Sequence, residues 1–180
     1  MKDERGFLLA ELTVTLALLV VVLAVSSVFF FFCQRSFYEG EKKTIVQSNV
    51  RLAANYITKE VRYADNISTD QSKMPSGTTY YCLKQVDGIL QEVISKPDGL
   101  TETRTITQEE DVRLDSLTFD FGPGTDSNDY FLTFTITGSD EASEHARTIT
   151  SQVLLVNIKD LPEGFEWSGE TAIYFTKPSI

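Results

Sequence analysis

The sequence predicts an α+β protein. One long N-terminal helix, its first half membrane-embedded and its second half amphipathic, packs on an antiparallel β-meander. Three observations carry this. From Leu12 to Gln34 the chain holds no formal charge. Val46, Val50, Ala53, Ile57, Val61 and Ala64 then recur at three- and four-residue steps, which lines one face of a helix. From Tyr80 onward, short runs of alternating apolar and polar residues are separated by turn residues, as half-buried antiparallel strands are.

The helix comes first. No proline interrupts Met1 to Lys73, and the only glycines before Lys73 are Gly6 and Gly40. One helix from Phe7 to about Asp65 would be roughly 85–90 Å long at 1.5 Å per residue, with Glu39-Gly40 the place for a bend. Arg51, Asn55, Lys59, Glu60 and Arg62 fall mostly off the apolar stripe, so the second half has one face to bury.

The strands follow. Tyr80–Val86 and Ile89–Ile94 flank Asp87-Gly88, a dipeptide suited to a two-residue hairpin turn. Leu117–Phe121 and Tyr130–Ile136 alternate apolar and polar side chains on either side of a loop, Gly122–Asp129, dense in turn residues. Thr148–Ile158 supplies a further strand. The order is helix, hairpin, meander, with the sheet covering the amphipathic half of the helix.

The N-terminus is more specific than the rest. Met1-Lys-Asp-Glu-Arg-Gly-Phe-Leu-Leu-Ala-Glu11 places a short charged leader and one acid ahead of the apolar run. A carboxylate inside a membrane helix costs about 2.5–3.5 kcal/mol on insertion scales, so it usually has a partner. A secretory signal peptide has an apolar core of roughly 7–15 residues and a small-residue cleavage site. Here the run is longer and ends in Val28-Phe-Phe-Phe-Phe32. A lipoprotein signal would put its cysteine nearer than Cys33. A plain single-pass anchor, bearing an extracytoplasmic binding or sensor domain, explains the length, since about 20 apolar residues cross a bilayer, but gives Glu11 no role.

Gly6, Phe7, Glu11 and the apolar span together resemble the N-terminus of type IV pilins and type II secretion pseudopilins. The resemblance implies a pilin-like fold and cleavage after Gly6 by a prepilin peptidase, with methylation of the new N-terminal Phe7. The leader departs from the family in carrying Asp3 and Glu4 beside Lys2 and Arg5, so its net charge is about zero. Cleavage would free an amine on Phe7, positive at neutral pH. In a filament, the resemblance implies, Glu11 of one subunit meets that amine on a neighbour. Two such charges are costly apart and tolerable together, so the pair would set axial register. The implied divisions are a leader at 1–6, a transmembrane half-helix at 7–33, an amphipathic half at 34–66 and a β-rich head at 67–180.

Arg51–Ala64, Leu117–Phe121 and Arg147–Asn157 resemble, more loosely, minor pilins of the PilW type and the J-type minor pseudopilin; a competence-type minor pilin is nearly as compatible. Glu11 argues against the tip subunit that lacks this acid in such systems. The implied function is a structural subunit of a type IV pilus, competence pilus or type II secretion pseudopilus. The implied partners are prepilin peptidase, other pilin or pseudopilin subunits, the inner-membrane assembly platform and membrane lipid. Lys2 and Arg5 before the span are balanced by Arg35, Lys42 and Lys43 after it, so charge does not choose an orientation. The family places the leader in the cytoplasm and the head outside.

Composition fits this outline. The 180 residues leave roughly 145 for one extracytoplasmic domain after the span. A net charge of −10 argues against direct nucleic-acid binding through a basic face. Two cysteines make no disulfide framework, and Cys82, in a strand, reads as core or unpaired. No catalytic, cofactor or metal-ligand spacing stands out, so an enzyme is not expected. His145, the single histidine, ends an acidic stretch, Asp140-Glu-Ala-Ser-Glu-His145, that reads as a solvated loop. Glu109-Glu110-Asp111 reads as solvated, and Asp126–Asp129 has alternate oxygen-bearing side chains but lacks the further ligands of a calcium loop. Trp167 is expected to pack against the sheet.

Overall fold

In the computed structural model, residues 4–107, 112–124, 129–140, 144–158 and 166–178 are described, with side chains from Ala10 onward. The chain divides between Lys42 and Lys43 into two compact units. A single α-helix, α1, covers Glu4–Val61, and its helical hydrogen bonding runs through Gly40 without interruption.

In the first unit, large apolar side chains from Leu12 to Phe32 are 56–70% exposed. Nothing in the unit covers them, and this stretch is long and apolar enough to cross a bilayer. Three of the polar side chains within it bond back to the helix. Thr13 Oγ1 donates to the Ala10 carbonyl at 2.8 Å, Thr15 Oγ1 to Leu12 at 2.9 Å, and Ser27 Oγ to Leu23 at 2.8 Å. Such back-bonding removes the cost of carrying a hydroxyl into apolar surroundings.

In the second unit the amphipathic part of α1 buries the predicted stripe. Val46, Val50, Ala53, Ile57, Val61 and, just past the helix, Ala64 are all fully enclosed. Each Val or Ile so buried contributes about 1.5–3 kcal/mol relative to exposure. They pack on two antiparallel sheets. The first has the order β1-β9-β2-β3-β4, from β1 (Asn66–Ser68), β9 (Ala172–Thr176), β2 (Tyr80–Val86), β3 (Ile89–Ser95) and β4 (Thr101–Thr105). The second has the order β7-β6-β5-β8, from β7 (Ala146–Leu155), β6 (Tyr130–Asp140), β5 (Val112–Pro123) and β8 (Trp167–Glu170). Leu83, Leu90, Ile173 and Phe175 of the first sheet share one core with Leu117, Phe119, Leu132 and Phe134 of the second.

The β2–β3 hairpin turns at Asp87-Gly88 as expected, with both residues at positive φ, 51° and 81°. This turn is also an anchor: the Gly88 carbonyl accepts from Leu114 N at 2.7 Å, tying the first sheet to β5. Gly138 on β6 lets helix and sheet approach closely, since a Cβ there would lie 2.7 Å from Val50 Cγ2.

Four strands go beyond the expected meander. β1 and β8 have three and four residues, too short for an alternation to register. β4 is exposed at every position, so no apolar alternation marks it. β9 is apolar, but it pairs with β1 and β2, far back in the sequence. The single meander thus becomes two sheets around one helix face. Trp167 packs as expected, stacked on Phe121 at 5.4 Å between ring centroids.

Candidate functional site

The three residues singled out in the sequence lie on the first two turns of α1. Gly6 and Phe7 are helical, and Glu11 follows Phe7 by four residues, one turn along the helix. The Glu11 side chain is exposed, and the next charged residue along the helix is Arg35. Arg35 forms an i,i+4 ion pair with Glu39 at 2.9 Å, which closes the charge-free segment at its far end. Glu11 is therefore the last charge before a bare apolar stretch of the helix. Such a group is costly in an apolar medium unless an opposite charge answers it.

The second unit carries a charged seam of its own that the sequence did not reveal. Glu92 on β3 is 1% exposed. Its Oε2 accepts from the Tyr56 hydroxyl on α1 at 2.7 Å and lies 4.0 Å from Arg104 Nη1 on β4. Arg104 in turn pairs with Glu102 at 2.8 Å. A cavity of about 390 Å³ opens over this group, bordered also by Glu60 and Lys177. Lys177 bridges two places: it ion-pairs with Glu60 on α1 and sits 3.9 Å above the Tyr81 ring. Burial first, then the hydrogen bond to the Glu92 carboxylate, pushes the Tyr56 phenol well above its ordinary pKa. Acids and bases in the cavity wall pair with one another, so the seam binds helix to sheet. Sequence spacing offered no signal for it, because Tyr56 and Glu92 lie 36 residues apart on different elements.

The two cysteines are free thiols, Cys33 exposed and Cys82 buried. Burial pushes the Cys82 thiol above its usual pKa. Of the expected solvated stretch Asp140–His145, residues 141–143 lie outside the described residues and Glu144 is exposed, but Asp140 needs correction. Asp140 is the last residue of β6 and only 3% exposed, because the sheet continues to the hairpin end. Glu109–Asp111 and Asp126–Asn128 lie outside the described residues; Asp129 carbonyl accepts from Gly124 N at 2.8 Å.

A long apolar N-terminal helix whose amphipathic part packs on antiparallel sheets defines a pilin-like α+β fold. Among solved structures the chain is similar to the PilB minor pilin from Streptococcus sanguinis and to its D319A mutant. The TM-scores are 0.51 and 0.52, with 14% and 15% sequence identity over 75% of this chain. The chain spans about a third of the length of those two proteins, 34% and 35%. At this identity the likeness is one of fold. No protein-family profile and no curated protein matches the sequence.

Proposed function

We propose that this chain is a minor pilin or pseudopilin, processed by prepilin peptidase between Gly6 and Phe7 and methylated on Phe7. It is then incorporated into, or primes, a type IV pilus, competence pilus or type II secretion pseudopilus, most like a PilW-type or J-type subunit. The observation that carries this reading is Glu11, an exposed carboxylate immediately before the charge-free stretch Leu12–Gln34 of a helix that belongs to a pilin-like fold. In the filament Glu11 meets the Phe7 amine of a neighbour, and Leu12–Phe32 exchange lipid for the helices of other subunits. The partners are the peptidase, fellow subunits, the assembly platform and lipid. The leader is cytoplasmic and the head extracytoplasmic. The role is structural rather than enzymatic.

The test is the intact mass and N-terminal sequence of the membrane-extracted chain, produced with and without a prepilin peptidase. A mature chain beginning at Phe7 and about 14 Da heavier than the unmodified fragment is the expected result. A chain still beginning at Met1 in the presence of active peptidase would sink the reading and leave a membrane-anchored binding or sensor domain.

A further inference from the structure

We propose that the turn between β6 and β7 binds a divalent transition-metal ion of the zinc class through Asp140, Glu144 and His145. This goes beyond the filament role and does not depend on it. The hairpin end is closed by backbone bonding: Asp140 N donates to the His145 carbonyl at 3.3 Å, and His145 N donates to Asp140 Oδ1 at 3.0 Å. Asp140 and His145 are thereby held face to face, and Glu144 stands beside them. One donor atom from each residue lies within 4.8 Å of the other two.

A second observation points to an ion. The Nε2 atom of His145 is shielded from solvent and has no hydrogen-bond partner among the described residues. A ring nitrogen in that position has given up water without gaining anything in exchange. A metal ion is a natural occupant, because the neighbouring donors are carboxylate oxygens that carry the charge to hold one. Donors around one zinc ion sit at about 2.0–2.2 Å from it and so roughly 3–4 Å from one another. Glu144 is exposed, so its side chain has room to turn toward the other two donors. Three protein ligands leave a fourth, water-filled position. The imidazole also selects among ions: nitrogen donors suit zinc, nickel and copper, whereas calcium and magnesium favour sites made wholly of oxygen.

The chain has one histidine, so its ring signals are assigned without ambiguity. The experiment uses the full, tag-free chain in detergent micelles with isotope-labelled histidine, titrated with zinc chloride and followed by NMR. A chelator competition measures affinity. The expected result is saturation of the ring shifts at one zinc per chain, with no shift from calcium at the same concentration. Glu144→Gln and His145→Ala should each weaken zinc binding at least tenfold or so, the minimum loss seen when even outer-shell partners are removed. Emission of the single Trp167 reports whether each variant is folded. Should His145→Ala fail that check, His145→Gln takes its place. Ring signals unmoved by zinc, equal shifts with calcium, or a folded His145 variant that binds zinc as tightly as the parent would each overturn the proposal.

Discussion

The Tyr56 hydroxyl on α1 donates a 2.7 Å hydrogen bond to the buried Glu92 carboxylate on β3, joining the helix to the first sheet. Tyr56→Phe keeps the ring and removes the donor. A buried carboxylate deprived of a partner costs about 1–3 kcal/mol, and this variant should lose that much stability. The double change Tyr56→Phe with Glu92→Met should recover part of the loss, since both polar partners then vanish together. Urea unfolding followed by Trp167 emission measures both. An unchanged midpoint for Tyr56→Phe would show that the bond contributes nothing.

The same phenol gives a pH prediction. Its pKa is raised in the folded chain, so its contribution is fully present below the unfolded value of about 10 and is lost as pH rises past it. Stability should therefore fall with increasing alkalinity above about pH 10. The raised pKa values of Cys82 and Tyr174 act in the same direction. Comparing the parent with Tyr56→Phe isolates the Tyr56 share: the variant should show a shallower alkaline decline in its urea midpoint.

Gly138 marks a close approach of helix and sheet. A methyl group there would meet Val50 Cγ2 at 2.7 Å and the Arg113 carbonyl at 3.3 Å. Gly138→Ala should destabilise the head by about 1–3 kcal/mol through overpacking. Adding Val50→Ala should cost less than the sum of the two single changes, because the residues share the contact. Strictly additive losses in thermal unfolding would refute the packing account.

The thiols should differ sharply in reactivity. Cys33 is exposed, whereas Cys82 is buried with a raised pKa, and the thiolate is the reactive form. In detergent micelles a maleimide should add one label per native chain, at Cys33, and a second only after unfolding. Peptide mapping distinguishes the sites, and prompt labelling of Cys82 would contradict its burial.

Glu11→Gln removes the charge and keeps the shape. Under the proposed function, membrane extraction of the chain should be unchanged while its recovery in sheared filaments drops at least about tenfold, as loss of one buried charge partner implies. Normal recovery in filaments would remove Glu11 from the assembly mechanism.

Much of the fold was legible because its signals are local. Tyr80–Val86 was bounded to the residue, and the positive φ of Asp87 and Gly88 followed from the two-residue turn this dipeptide favours. Leu117–Phe121 marked the middle of β5 and Tyr130–Ile136 the first part of β6, strands that extend to Val112–Pro123 and Tyr130–Asp140. The ends were missed where the polar alternation lapses. Asp140 looked solvated for this reason, although backbone pairing carries β6 onward and encloses it.

Sequence alone determined the rod: an unbroken helix, a charge-free apolar half with Glu11 at its head, and a stripe from Val46 to Val61 that had to be buried. These follow from periodicity and charge within a few turns of chain. Only the tertiary structure decided which strands meet. It set β9 between β1 and β2, brought Lys177 onto Tyr81 and Glu60, and placed Tyr56 against Glu92. Pairings of that kind depend on which distant surfaces exclude water together, and the free energy of doing so is not expressed in the spacing of any one segment.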